Sequence, residues 1–177
     1  MQYGFHFDVK RCAQCFACKV ACKSAHDARP HVSEEPGSCG PRRRQVFELM
    51  SEDGPTPIQY VSMSCMHCGD AACLNVCPAR AIYRDPEFGA VLVDHSRCLG
   101  CRYCSWACEF GAPQFDRDGL MVKCDMCIER LREGLQPACV ESCCGGAITL
   151  SPVEGAPNTV REKAAKRLIV ARLFWTA

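Results

Sequence analysis

The sequence has few aromatic residues and no long apolar run. Aromatic side chains make up 8% of its 177 residues, and eighteen of the residues counted as hydrophobic are cysteines. A small chain of this composition buries little aliphatic and aromatic surface, so we expect another source of folding free energy. No stretch of roughly 18 consecutive apolar residues appears, so the sequence predicts no direct membrane span.

Other features are also missing. The segment Met1 to Val9 (MQYGFHFDV) leads straight into a cysteine group, so we expect no targeting signal of the chain's own. No triad-like arrangement and no carboxylate pair suggests a catalytic centre, and the five histidines offer no second ligand set. The sequence therefore predicts a non-catalytic protein, not an enzyme.

Cysteines supply the main signal. The first and third of four groups have the spacing C-x2-C-x2-C-x3-C, which is the bacterial ferredoxin run. The second group has C-x2-C-x4-C-x3-C and the fourth has C-x2-C-x11-C-x3-C. The groups in chain order are Cys12, Cys15, Cys18 and Cys22; Cys65, Cys68, Cys73 and Cys77; Cys98, Cys101, Cys104 and Cys108; and Cys124, Cys127, Cys139 and Cys143.

The spacing predicts how these thiolates are shared. Three closely spaced thiolates wrap one corner of an iron-sulfur cube, whereas the fourth, about one helical turn further on, ligates the other cluster of a pair. Groups one and four then form one unit, and groups two and three form a second unit that is inserted within it. The predicted ligand sets, called sites A to D below, are Cys12, Cys15, Cys18 and Cys143 (A); Cys124, Cys127, Cys139 and Cys22 (B); Cys65, Cys68, Cys73 and Cys108 (C); and Cys98, Cys101, Cys104 and Cys77 (D).

Two other uses of cysteine are less consistent with the pattern. Sulfur ligands also suit zinc, but four groups that each keep a trailing x3 cysteine are poorly explained by independent zinc knuckles. A disulfide framework needs an oxidising compartment and well-separated cysteines, whereas we expect no targeting signal here and the cysteines are closely spaced. Four cubanes at roughly −2 each would change the formal charge of +1 to roughly −7, which argues against nucleic acid as a partner.

The expected fold class is α+β, with two bacterial-type two-cluster ferredoxin-like units, the second inserted within the first. We expect unit one over 1–57 plus 124–150, unit two over 58–123, and a helical C-terminal tail over 151–177. Predicted strands cover Tyr3–Val9, Ile58–Met63 and Ala147–Leu150, and a hairpin turns at Asp85–Gly89 before a strand over Val91–Val93. Short helices are predicted at Phe16–Ala25, Asp70–Val76, Tyr103–Ala107 and Asp125–Glu133.

Some segments fall outside the two units. Residues 23–57 are rich in Pro, Gly and charge and are predicted to form an irregular surface excursion. Within it, Arg42, Arg43 and Arg44 are interpreted as a solvated charge run or as a contact for an acidic partner, and Cys39 as a free thiol. The tail has the pattern of a basic amphipathic helix that docks on a partner or packs on its own unit.

Four stretches resemble a known family. They are QYGFHFDVKRCAQCFACKVACK, YVSMSCMHCGDAACLNVCPARAI, DHSRCLGCRYCSWACEFGAPQFD and KCDMCIERLREGLQPACVESC. Their order is similar to that of the four-cluster iron-sulfur electron-transfer subunits of the dimethyl sulfoxide reductase (molybdopterin oxidoreductase) family, and the layout is nearest to its B subunits.

The resemblance implies a function. Such a subunit relays single electrons through four 4Fe-4S clusters between a large molybdopterin catalytic subunit, with Mo or W, and a quinone-linked membrane anchor subunit or other redox partner. Site A would face the catalytic subunit, and site C would lie at the end of the chain of clusters far from it. Localisation would be cytoplasmic, or periplasmic after export in folded form with a twin-arginine partner. The alternative is a free-standing polyferredoxin or a small subunit of a hydrogenase or formate dehydrogenase.

The chain departs from the family pattern at a few positions. Some relatives have Trp in place of one third-group cysteine, whereas all four are present here. Pro78 keeps the usual proline after the last ligand, but Glu109 and Cys144 replace it in groups three and four. Cys144 therefore competes with Cys143 as a ligand, although the x3 spacing favours Cys143.

Charged neighbours of the ligands could tune the clusters. As positive groups they would raise the potential of the nearest cluster, whereas the competing interpretation is ordinary solvent exposure. These residues are Arg11, Lys19, His67, Arg97, Arg102 and Lys123.

Overall fold

The protein is assembled from short elements, and no sheet in the described part of the chain has more than two strands. A computed structural model describes residues 1–26, 40–49 and 59–153. The strands are β1 Tyr3–Phe7, β2 Arg44–Leu49, β3 Gln59–Ser64, β4 Ile82–Arg84, β5 Val91–Val93, β6 Gln114–Phe115, β7 Met121–Val122 and β8 Ile148–Pro152. The helices are α1 Ala17–His26, α2 Ala72–Asn75, α3 Tyr103–Ala107, α4 Ile128–Arg132 and α5 Ala138–Glu141.

The first and last strands pair with each other. β1 and β8 are antiparallel, with Tyr3 opposite Pro152 and Phe7 opposite Ile148. β1 ends before the predicted Val9, because the Asp8 side chain accepts a hydrogen bond from Lys10 N at 2.9 Å and caps a single 3-10 turn. This pairing, together with the packing of α1 against α5, brings the first and fourth cysteine groups together.

The predicted hairpin in the middle of the chain is present. β4 and β5 are antiparallel, and Ile82 lies opposite Val93. The buried carboxylate of Asp85 organises the turn by accepting hydrogen bonds from the backbone N of Glu87 at 3.1 Å and of Phe88 at 2.8 Å. The short β6–β7 hairpin was not predicted.

One prediction for the segment 23–57 is wrong. β2 lies within it and pairs antiparallel with β3, with Arg44 opposite Ser64 and Leu49 opposite Gln59. Arg44 is 4% exposed, so it does not belong to a solvated charge run. The strand was missed because its buried end is an arginine, which sequence patterns assign to the surface.

Most predicted helices are present with shifted ends. The prediction for Tyr103–Ala107 is confirmed, α1 is displaced by one residue, and α2 and α4 are shorter than expected. Helix α5 was not predicted. Cys39 and residues 154–177, which include most of the predicted tail helix, lie outside the described residues. None of the helices in the described ranges is long and apolar enough to cross a membrane.

The hydrophobic core is divided into small clusters. One is built around Ile82, Val91 and Met121, and cysteines of groups two and three pack on it. Another contains Cys18, Cys139 and Ile148, so cysteines themselves are core residues. Small cores around thiols are what a protein folded around metal clusters requires, since ligation supplies folding free energy.

Candidate iron-sulfur sites

The four thiols of site A line a single cavity. Cys18 is buried, and its sulfur lies 3.4 Å from Ser62 Oγ. The backbone N of Ala147 donates a hydrogen bond to Cys143 Sγ at 3.2 Å. Cys144 lines the same cavity, so five cysteines contribute to its walls. Its cysteines are Cys12, Cys15, Cys18, Cys143 and Cys144.

The four thiols of site D line a second cavity, whose walls are otherwise mainly apolar. Ile82, Val93, Phe115 and Met121 contribute to these walls. The thiols belong to Cys77, Cys98, Cys101 and Cys104. Sulfur donors inside an apolar enclosure suit a cubane cluster, because the enclosure shields the irons from water.

All four thiols of site B are buried. Cys22 and Cys127 both lie beside one imidazole, with Cys22 Sγ 4.0 Å from His26 Nδ1 and Cys127 Sγ 3.8 Å from His26 Nε2. Burial, together with the neighbouring Cys127 and Cys22, raises the pKa of Cys139 to about 11. Iron would supply the positive charge that holds such thiols in the thiolate form.

Site C is half open to solvent. Cys65 is buried, whereas Cys68, Cys73 and Cys108 are half-buried. Burial raises the pKa of the Cys73 thiol, and charges on the other three cysteines act in the same direction. The other three cysteines therefore lie within electrostatic range of Cys73.

Neighbouring sites influence one another pairwise in the order A, B, C and D, which we call the row. Cys18 of site A and Cys139 of site B belong to the same core cluster. Burial raises the pKa of Cys124 to about 12, and Cys65 of site C adds to that rise. Burial likewise raises the pKa of Cys104 of site D to about 11, with a contribution from Cys73 of site C.

The loops that carry the cysteines contain strained backbone. Non-glycine residues with positive φ occur in or beside every cysteine group, including Gln14 (59°), His67 (46°), Arg102 (65°) and Met126 (64°). A left-handed residue costs about 1–2 kcal/mol, so the surrounding structure has to compensate for it. At Met126 this conformation directs the backbone N to Cys124 Sγ at 3.4 Å.

Comparisons with known proteins agree with this chemistry. A family model described as a 4Fe-4S dicluster domain matches residues 56–152. The probable anaerobic dimethyl sulfoxide reductase protein YnfG of Escherichia coli is 42% identical over 163 residues, which cover 86% of this chain and 75% of that protein. The B subunit of anaerobic dimethyl sulfoxide reductase from the same organism is 40% identical over the same shares.

The chain belongs to the family of dimethyl sulfoxide reductase iron-sulfur subunits. Another relative is the thiosulfate reductase electron transfer subunit PhsB of Salmonella typhi, which is 42% identical over 147 residues, or 80% of this chain and 71% of that protein. The predicted family and the predicted role in electron transfer are confirmed. This iron-sulfur subunit has a ferredoxin-like 4Fe-4S domain with mixed helices and strands.

A network that the sequence did not predict lies beside site B of this subunit. His26 Nε2 lies 2.9 Å from Asp125 Oδ1, and Arg43 NH1 lies 3.6 Å from Asp125 Oδ2. Burial acts to raise the pKa of Asp125, but the hydrogen bond and charge of His26 outweigh it and lower that pKa to about 2. Asp125 in turn raises the pKa of His26. His26, Asp125 and Cys127 each offer one possible ligand atom, and these three atoms lie within 4.8 Å of one another. The sequence did not suggest this grouping, because its histidines form no motif.

The predicted charged neighbours fall into two classes. Arg11, Arg97 and Arg102 are exposed and Lys19 is half-buried, whereas Lys123 is 3% exposed. His67 is fully buried and its Nδ1 accepts a hydrogen bond from Val91 N at 3.0 Å. Burial, helped by nearby cations, lowers the pKa of His67, so interpreting this residue as a positive group was wrong.

Proposed function

We propose that this subunit carries four 4Fe-4S clusters, one in each of sites A to D, and relays single electrons through them. It would connect a large molybdopterin catalytic subunit, with Mo or W, to a quinone-linked membrane anchor subunit or other redox partner. The observation that supports the proposal most is that the predicted ligand cysteines of site A line one cavity and those of site D line another.

The ligand sets and the inserted arrangement are part of this proposal. Crosswise donation requires group one to meet group four, and the antiparallel pairing of β1 with β8 supports that. Contacts between α2 and α3 support the same exchange between groups two and three. The outer unit is then 1–57 plus 124–150, and the inserted unit is 58–123.

The row has two exposed ends. Cys15 of site A and Cys101 of site D are exposed, whereas all cysteines of site B are buried. We therefore assign the far end to site D rather than to site C, and keep site A for the catalytic subunit. Trp106, 90% exposed, lies with Leu99 and Tyr103 on the segment that carries the site D cysteines, and these exposed apolar side chains suit a protein contact.

The protein determines the surroundings of the clusters. When bound, the clusters supply one-electron chemistry. The chain excludes water from site B, holds the thiols with short loops and donates backbone hydrogen bonds to Cys124 and Cys143. Compartment follows the catalytic partner, so the subunit is cytoplasmic or is exported folded alongside a twin-arginine partner.

Metal analysis tests the proposal. Anaerobically purified protein should contain about sixteen iron atoms and about sixteen sulfides per chain and show paramagnetic signals after reduction. Colourless protein with stoichiometric zinc would contradict it.

Native association tests the partner. Gel filtration of an anaerobic native extract should show co-elution with a large pterin-containing chain. Elution as an isolated small protein would instead support the free-standing polyferredoxin.

A further inference from the structure

Two cations are buried inside this subunit. Arg44 is 4% exposed and Lys123 is 3% exposed. Across residues 1–26, 40–49 and 59–153, no carboxylate forms an ion pair with either side chain. Because a buried, uncompensated charge costs several kcal/mol, an anionic counterpart is expected close to each of them.

Arg44 lies between sites A and B. Its guanidinium donates to Ser62 Oγ at 3.0 Å and to Ser64 Oγ at 2.9 Å, and it lies 5.0 Å from the centre of the Phe5 ring. Ser62 Oγ in turn lies 3.4 Å from the sulfur of Cys18 in site A.

The charge of Arg44 also acts on site B. The Phe5 ring beneath the Arg44 guanidinium packs against the core cluster that contains Cys139 of site B. The serine hydroxyls that accept hydrogen bonds from Arg44 carry no charge to offset that of the guanidinium. Two neighbouring clusters with anionic thiolates would compensate it.

Lys123 lies between sites B and C. Its Nζ donates to the carbonyl oxygen of Val91 and, at 3.0 Å, to the carbonyl oxygen of Cys124 in site B. Val91 belongs to the core cluster on which Cys68 and Cys73 of site C pack, so the ammonium that binds the Val91 carbonyl is adjacent to that site as well. Carbonyl groups orient this ammonium but carry no net charge.

We propose that Arg44 and Lys123 are the resident counter-cations of the electron path, placed at the A–B and B–C steps, where they raise the reduction potentials of the clusters they adjoin. The inference rests on the proposed occupancy of sites A to C. Each one-electron reduction adds a negative charge in a poorly screened interior, so a fixed cation nearby stabilises the reduced form. Between sites C and D the packing is apolar instead, around Ile82, Val91 and Met121.

Potentiometric titration of the purified holoprotein, followed by electron paramagnetic resonance, tests this role. In Lys123→Met and in Arg44→Met, the reduced-to-oxidised ratio of an adjoining cluster at fixed potential should fall about tenfold, equivalent to ~59 mV. Lys123→Arg and Arg44→Lys should restore most of the ratio because they keep the charge. Arg97→Met is the matched control, since Arg97 precedes the ligand Cys98 but is exposed.

Iron content separates the possible failures. Wild-type protein without iron would overturn the proposed function itself. Neutral variants that keep about sixteen irons and wild-type ratios, or shift no more than Arg97→Met, would overturn the counter-cation role.

A folding defect is also informative. If Lys123→Met loses iron, Lys123→Gln is titrated in its place, since glutamine keeps a donor without the charge. Loss of iron from both neutral variants with retention in Lys123→Arg supports the need for a positive charge. Equal loss from Lys123→Arg contradicts it.

Discussion

The sulfur of Cys15 lies 3.7 Å from the sulfur of Cys144. A backbone hydrogen bond at Ala17 and the thiol of Cys144 both lower the pKa of Cys15, while the same contact raises the pKa of Cys144. Either of the two thiols can donate in this contact. Cys143, in contrast, packs against Cys18 and Cys139.

The two adjacent cysteines should therefore behave differently on substitution. Cys143→Ser is expected to lose the cluster of site A, about four irons per chain, because serine is a poor replacement for a thiolate ligand. Cys144→Ser should keep all the iron, since Cys144 is exposed and a serine hydroxyl can still form the contact with Cys15. Iron analysis with spin quantification checks both variants, and the reverse pattern would assign the ligand to Cys144.

Gly145 is closely packed against the loop of the first cysteine group. A Cβ at this position would lie 2.3 Å from the carbonyl oxygen of Arg11. Gly145→Ala should displace the chain next to Cys143 and reduce the iron bound in site A, because the obstructing atom belongs to the backbone.

A second glycine provides the control for that variant. At Gly134, φ is 77° and nothing lies within 4 Å of an added Cβ. Gly134→Ala should cost about 1 kcal/mol of stability from backbone strain and leave the iron content unchanged. Equal iron loss in the two variants would be inconsistent with a steric effect at site A.

Asp125 stabilises the surroundings of site B. Asp125→Asn removes the charge that pairs with His26 and Arg43, and we expect a loss of about 1–3 kcal/mol. The denaturant concentration that bleaches half of the cluster absorbance should therefore decrease.

An exposed ion pair serves as the comparison. Arg130 pairs with Glu141, whose side chain is 60% exposed. Glu141→Gln should lower the same midpoint by a smaller amount, since surface pairs contribute less than about 1 kcal/mol. An equal decrease in the two variants would argue against a special contribution of Asp125.

Removal of iron should unfold much of the chain. The described core consists of small clusters in which cysteines take part, so ligation is expected to supply much of the folding free energy. Oxidation in the presence of a chelator should abolish near-ultraviolet circular dichroism and resistance to protease, and anaerobic addition of iron and sulfide should restore both. Apoprotein that stays protease-resistant would contradict this prediction.

Local patterns predicted local structure well. The turn before Val91–Val93 and the helix Tyr103–Ala107 follow from residues close together in sequence, and both are present. β2 was missed because the burial of Arg44 depends on Ser62, Ser64 and Phe5, which are distant in sequence. His67 was interpreted as a cation because its complete burial was not visible in its neighbours.

The sequence by itself determined the chemistry of this subunit, because ligand type and ligand spacing are properties of short segments. It also determined the family, since the cysteine groups and the residues between them identify it. Tertiary structure decided which cysteine groups lie near each other, which cysteines are exposed and which charges are buried. Those properties depend on contacts such as β1 with β8 and Arg44 with Ser62, where low solvent screening gives a fixed charge its effect.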